Sequence, residues 1–284
     1  MTHLLAIISI VLYISSSVLM FVQLLRSKVV GRVSSTARVL FLSALVAHTA
    51  TMGFVIQDPN MVLRANGADY FLWVSWALAV AFAFLQRRLN YPIVGAFVVP
   101  AVVLFMGCSS YLLHQDTTSV LSSTVVNNEE AGVFLSLLHA VPALVSVVTL
   151  ALALVVSIVF LIIERRLKQR RMEVLSGAGP NLQLLDRMNK VLTEVGFLAI
   201  SLVVLSGGFW AVSEQKPVFS FDASVISGIV LWILLAFLLH IRLVLRWSPK
   251  QVSRLTVIVT AWYFTTVFVV VALSGSLTHT ELWP

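Results

Sequence analysis

Leu205 to Arg242 reads LSGGFWAVSEQKPVFSFDASVISGIVLWILLAFLLHIR. Two apolar runs flank a short polar and aromatic stretch. The second run carries His240 close to its end, with Arg242 two residues later. About 20 apolar residues in α-helical form span a hydrocarbon core roughly 30 Å thick, so the segment predicts a membrane hairpin of two helices. Backbone groups inside lipid must be hydrogen-bonded within their own segment, which makes each run a helix. A histidine inside such a run is costly to bury and marks a candidate site.

The same pattern extends along the chain. Of 284 residues, 59% are hydrophobic and 11% charged, with a mean hydropathy of +0.99. Soluble domains carry about 25% charged residues, so a soluble globular protein is excluded. Apolar runs fall near residues 4–25, 39–57, 70–86, 92–113, up to 163, 191–212, 223–245 and 251–273. The expected fold is all-α: a polytopic membrane protein with eight transmembrane helices in a single domain, 1–284, and a basic linker within it at 164–190. No basic residue precedes the first run, and no small-residue cleavage site separates it from Arg26, so it is expected to stay as the first span.

The 19 Lys and Arg residues report topology. Arg26, Lys28, Arg32 and Arg38 fall in the first loop and Arg87 and Arg88 in the third. Arg165 to Lys190 fill the fifth, and Arg242, Arg246, Lys250 and Arg254 the seventh. Only Arg64 and Lys216 lie in the other loops. The positive-inside rule then predicts basic loops in the cytoplasm and both termini outside. The net charge of +7 thus fits a lipid bilayer and calls for no nucleic acid.

The lone Cys108 excludes an intrachain disulfide and a thiolate-built metal site. The six histidines sort by depth on this topology. His48 lies about 9 residues from the inner edge of its helix, roughly 14 Å, and His240 about 17 residues from the outer edge of its own, roughly 25 Å. His139 and His279 sit at the outer ends of two other helices, while His3 and His114 read as solvated. Each level offers two imidazoles from different helices, which is what bis-axial ligation of a haem iron needs, with apolar helices as walls. Hydrogen-bonded packing is the competing reading for His48 and His240, and plain interfacial histidines for His139 and His279. Trp73 and Trp76, one turn apart, read as an interfacial belt or as a stacking surface. Arg242 reads first as an anchor that snorkels to headgroups, and second as a partner for a haem carboxylate.

Several segments, in order, resemble the CcsA-type cytochrome c assembly proteins, the haem-handling membrane family that includes CcmC and CcmF, and especially its short eight-helix branch. They are His48-Thr49, Tyr70 to Trp76, Leu138-His139, Leu185-Asp186, Ser206-Gly207-Gly208-Phe209-Trp210-Ala211, Leu231-Trp232, His240-Ile241-Arg242 and His279. The resemblance implies haem b as the bound group, held in the bundle by His48 and His240 and presented outside by His139 and His279. It implies a bacterial inner membrane, apocytochrome c as recipient, and a partner membrane protein with a large external domain. In the family, thioether bonds form beside a tryptophan-rich WWD loop. Here that loop is reduced to Phe219-Ser220-Phe221-Asp222. Phenylalanine keeps a stacking face for a porphyrin and loses the indole donor.

The resulting expectation is haem binding and delivery for cytochrome c biogenesis, with Trp73, Trp76, Phe219, Phe221 and Asp222 around the outer pair. Any enzymatic role would be as part of a haem-attachment system. The shortened loop also fits a non-catalytic accessory or regulatory protein of tetrapyrrole synthesis or respiratory complex assembly. A small-solute transporter ranks below both, because none of the twelve acidic residues falls mid-span.

Overall fold

A computed structural model describes residues 2–26, 33–56, 67–87, 92–116, 130–168, 181–213 and 223–277. They form eight helices: α1 (Thr2–Arg26), α2 (Ser35–Ile56), α3 (Gly67–Leu85), α4 (Pro92–Asp116), α5 (Glu130–Lys168), α6 (Leu182–Ser213), α7 (Ala223–Leu243) and α8 (Pro249–Leu277). There is no strand among the described residues. All except α8 are long and apolar enough to cross a membrane by length and composition, counted over the described residues. The chain is a polytopic all-α membrane protein.

The inner faces mix small, polar and aromatic residues, while large aliphatic side chains also face outward. On α1, Leu4, Ile7, Val11, Val18 and Leu25 point outward, whereas Ser9, Tyr13, Ser16 and Met20 are buried. On α2 the buried stripe is Ala37, Phe41, Ala44, His48, Thr51 and Met52. Between helices in lipid there is no hydrophobic drive to associate, so small and polar residues that allow close packing and hydrogen bonds take the inner face. Ser16 accordingly donates to the Ala37 carbonyl of α2 at 2.8 Å.

Consecutive helices pack side by side, and α1–α4 and α5–α8 add cross-contacts. A large core joins α1 to α5, and a smaller one joins α6, α7 and α8 around Leu150 of α5. Thus α5 is the spine: 72% of its most apolar stretch is buried, against 22% in α1 and in α7. Glycine sets the approach of α6 to this spine. A Cβ at Gly196 would stand 3.0 Å from Leu150 Cδ2 and 3.2 Å from Thr149 Oγ1.

Helix ends differ from the sequence reading at the basic end of the bundle. The expected linker 164–190 is helical at both ends, since α5 runs on to Lys168 and α6 starts at Leu182. Glu164 and Lys168, four apart, pair at 2.8 Å and continue α5. Asn181 caps α6 by accepting the Gln183 N–H at 2.8 Å. Charged residues that read as loop on hydropathy alone are therefore the polar first turns of a longer helix, whose inner face buries Leu185 and Asn189. At the start of α8, Gln251 Oε1 reaches back to accept both the Ser248 N–H at 3.2 Å and the Ser248 hydroxyl at 2.9 Å, with Pro249 at the first helical position. Lys250 reaches Glu164 at 3.2 Å and ties α8 to α5.

Candidate functional site

The histidines occupy three different environments. His48 is completely buried on α2. Its Nδ1 lies 3.4 Å from the Tyr13 hydroxyl of α1, and its Nε2 3.4 Å from Ser75 Oγ of α3. Ser75 gives its proton to the Leu72 carbonyl at 2.8 Å, so toward His48 it can only accept. That places the imidazole hydrogen on Nε2, with the Tyr13 hydroxyl beside Nδ1. Both contacts are longer than the usual range for such hydrogen bonds. The next residue, Thr49, accepts the Trp76 indole N–H at 3.1 Å, and Trp73 stands edge-on to Trp76 at 5.9 Å. The indole donor of Trp76 is thus used within the bundle and not on headgroups.

His139 is half-buried near the start of the apolar stretch of α5. Its Nδ1 lies 3.1 Å from Ser206 Oγ of α6, and Ser206 donates to the Val203 carbonyl at 3.1 Å. With the Ser206 proton on that carbonyl, Nδ1 donates to Ser206 and Nε2 keeps its lone pair. A Cβ on Gly207 would lie 3.7 Å from the ring, so the imidazole rests against a bare stretch of α6 backbone. Two separate pieces of sequence, Leu138-His139 and Ser206-Gly207, therefore build one site.

His240 lies on the exposed side of α7, where its carbonyl accepts the Val244 N–H at 2.8 Å and closes the helix. Helix α7 packs on α6 and α8, and α2 packs on α1 and α3. No hydrogen bond or ring contact joins His48 and His240 among the described residues. His279, Phe219, Phe221 and Asp222 lie outside the described residues.

Arg242 has a partner that hydropathy could not supply. Its guanidinium donates to the Asp186 carbonyl at 2.8 Å and pairs with the Asp186 carboxylate, joining α7 to α6. The side chain is only 10% exposed, so it does not snorkel. Its other terminal nitrogen, Nη1, is buried without a hydrogen bond among the described residues. Sequence reading also passed over Tyr13, Ser75 and Ser206 as partners of the histidines. The signal was present for the first: Ser9, Tyr13, Ser16 and Met20 recur at helical spacing within an apolar run.

Residues 65–278 match the family model described as cytochrome C assembly protein. The matched segment holds Trp73, Trp76, His139, Asp186, Ser206, His240 and Arg242, and omits His48 and His279. Among curated proteins, the cytochrome c biogenesis protein CcsA of Trieres chinensis is 23% identical over 66% of this chain and 68% of its own length. CcsA of Prochlorococcus marinus (strain NATL1A) is 22% identical over 80% and 79%. Protein HemX of Bacillus subtilis (strain 168) is 23% identical over 70% and 76%. No solved structure matches the chain. With a family match across α3 to α8 and motif residues meeting at the α5–α6 contact, the chain belongs to the cytochrome c assembly protein family.

Proposed function

We propose that this chain binds haem b and carries it across the bacterial inner membrane for cytochrome c biogenesis, with both termini on the outer side. The observation that supports this reading best is the His139–Ser206 contact at 3.1 Å. Ser206 holds the Nδ1 proton and thereby keeps Nε2 unprotonated, as an iron ligand must be. A second-sphere partner of this kind fixes the ring and raises its basicity. His279 is proposed as the opposite ligand, with Trp73, Trp76, Phe219 and Phe221 as stacking faces and Asp222 at the loop. Apocytochrome c and a partner with a large external domain are the proposed recipients. The loop 219–222 has phenylalanine where the family has tryptophan, so the proposal extends to carriage and presentation and not to thioether formation.

For the inner pair, Tyr13 and Ser75 define the requirement. His48 can offer Nε2 only after that nitrogen gives up its proton and its Ser75 contact. Tyr13 would then turn from donor to acceptor for Nδ1–H. His240 is proposed as the second inner ligand, and in this structure it faces outward on α7, which packs on α6 and α8. Arg242, already paired with Asp186, keeps one buried donor for a haem carboxylate.

Absorption spectra of the detergent-purified protein, oxidised and dithionite-reduced, test both sites. Paired variants His139→Ala with His279→Ala, and His48→Ala with His240→Ala, are compared with the parent after expression with haem supplied. Loss of the sharp low-spin reduced spectrum or of cytochrome c maturation in the outer double variant is expected. Unchanged haem content and unchanged maturation in that variant would refute the reading. The shortened loop favours one alternative, a non-catalytic accessory protein of tetrapyrrole synthesis or respiratory complex assembly, which predicts no haem in the parent protein.

A further inference from the structure

A second polar cluster lies at the basic end of the bundle, away from the histidines. A cavity of about 390 Å³ opens between α2 and α3 and is lined by Arg38, Leu42, Ala83, Phe84, Gln86 and Arg87. Arg87 stacks over the Phe84 ring at 5.2 Å. Neither arginine pairs with an acid among the described residues. Gln86 is 7% exposed, and its Nε2 is buried with no hydrogen bond partner among the described residues. A buried amide donor left unpaired inside a protein is costly, and it is ordinarily satisfied by something that occupies the adjoining space. Arg38 stands in the first turn of α2, where the helix dipole also favours an anion. Leu42 and Phe84 line the same cavity and remain exposed on the apolar outer face.

We infer that this cavity binds the phosphate headgroup of an anionic phospholipid, with Arg38 and Arg87 as its cations, the Gln86 amide as its buried donor, and acyl chains along Leu42 and Phe84. Free phosphate would use the cations and gain nothing from the apolar rim. A lipid uses both. Basic pockets between membrane helices suit such headgroups.

Native mass spectrometry of the full chain in detergent tests this, with equimolar phosphatidylglycerol and phosphatidylcholine added. At about 1 kcal/mol for each arginine near the surface, the parent should prefer phosphatidylglycerol by roughly thirtyfold. The Arg38→Gln, Arg87→Gln double variant should fall to near parity. Gln86→Leu, which removes the buried amide that faces the phosphate common to both lipids, should keep the fold and lower retention of both about tenfold while leaving the preference in place. Arg165→Gln with Arg166→Gln, at the same end but outside the cavity, should leave it intact. Equal retention of both lipids by the parent would overturn the proposal, as would an undiminished preference in the double variant. Displacement of the lipid by millimolar inorganic phosphate would reassign the cavity to a free anion, and displacement by haem to a porphyrin carboxylate.

Discussion

Removing the Asp186 carboxylate should cost more than removing the arginine it holds. In the folded chain Arg242 is 10% exposed and Asp186 29% exposed. Stripping one member of a buried pair costs about 3–5 kcal/mol, because the remaining charge is left uncompensated. In Asp186→Ala the guanidinium keeps the residue 186 carbonyl, at 2.8 Å in the parent, so part of its solvation survives. That lowers the expected loss to about 2 kcal/mol, roughly thirtyfold in the folding equilibrium. In Arg242→Met the carboxylate is left near water and can hydrate, and the unpaired Nη1 disappears with the charge. The loss there should be about 1 kcal/mol. The double variant should resemble Arg242→Met alone, giving a coupling of about 2 kcal/mol between sites in contact. Unfolding in mixed micelles with rising SDS fraction, followed by tryptophan fluorescence, measures all four proteins. Additive losses, or an Asp186→Ala protein within 0.5 kcal/mol of the parent on that roughly 2 kcal/mol scale, would refute the view that this pair clamps α6 to α7.

The other consequences are smaller or more local. Ser206→Ala frees the Nδ1 proton of His139 and should lower retained haem about tenfold, the usual effect of losing a second-sphere partner; Ser206→Thr should restore it, as read from the reduced absorption bands. Tyr13→Phe removes one long contact and should shift stability by about 1 kcal/mol or less, while changing haem content in a chain whose outer pair has been removed. Gly196→Val forces side-chain atoms onto Leu150 and Thr149 and should cost about 1–3 kcal/mol in the same SDS titration. Gln251→Ala removes the acceptor of the Ser248 N–H and hydroxyl at the start of α8 and should cost about 1 kcal/mol, measurable as a lower melting temperature in detergent.

Hydropathy located the eight helices because lipid imposes one rule on every span, and that rule is written residue by residue. It misplaced the starts of α6 and α2, where capping by Asn181 and Ser34 decides the boundary and hydropathy is silent. Depth alone predicts His139 at the outer end of its helix, and it lies two residues into the apolar stretch of α5. What depth could not supply was rotation. His48 faces inward and His240 outward, and nothing in a uniformly apolar run such as LWILLAFLLHIR says which side meets protein. Pairings across helices were hidden for the same reason: Asp186 and Arg242 are 56 residues apart and meet only once α6 and α7 are packed.

The proton positions separate the two histidines that have polar partners. His139 gives its hydrogen sideways, to Ser206, and so presents a nitrogen lone pair without breaking any contact. His48 carries its hydrogen on Nε2 toward Ser75, with the Tyr13 hydroxyl 3.4 Å from Nδ1, so Nε2 cannot bind a metal until it gives up that hydrogen. The burial of His48 raises the cost, since a histidine stripped of its partners in an apolar bundle has no water to replace them. A site of this form holds its ligand only when the incoming bond exceeds two weak hydrogen bonds and a tautomer change, and it lets go easily. A site of the His139 form has no such penalty. On the proposed haem path, that difference favours transfer from the residue that must be opened to the residue already open.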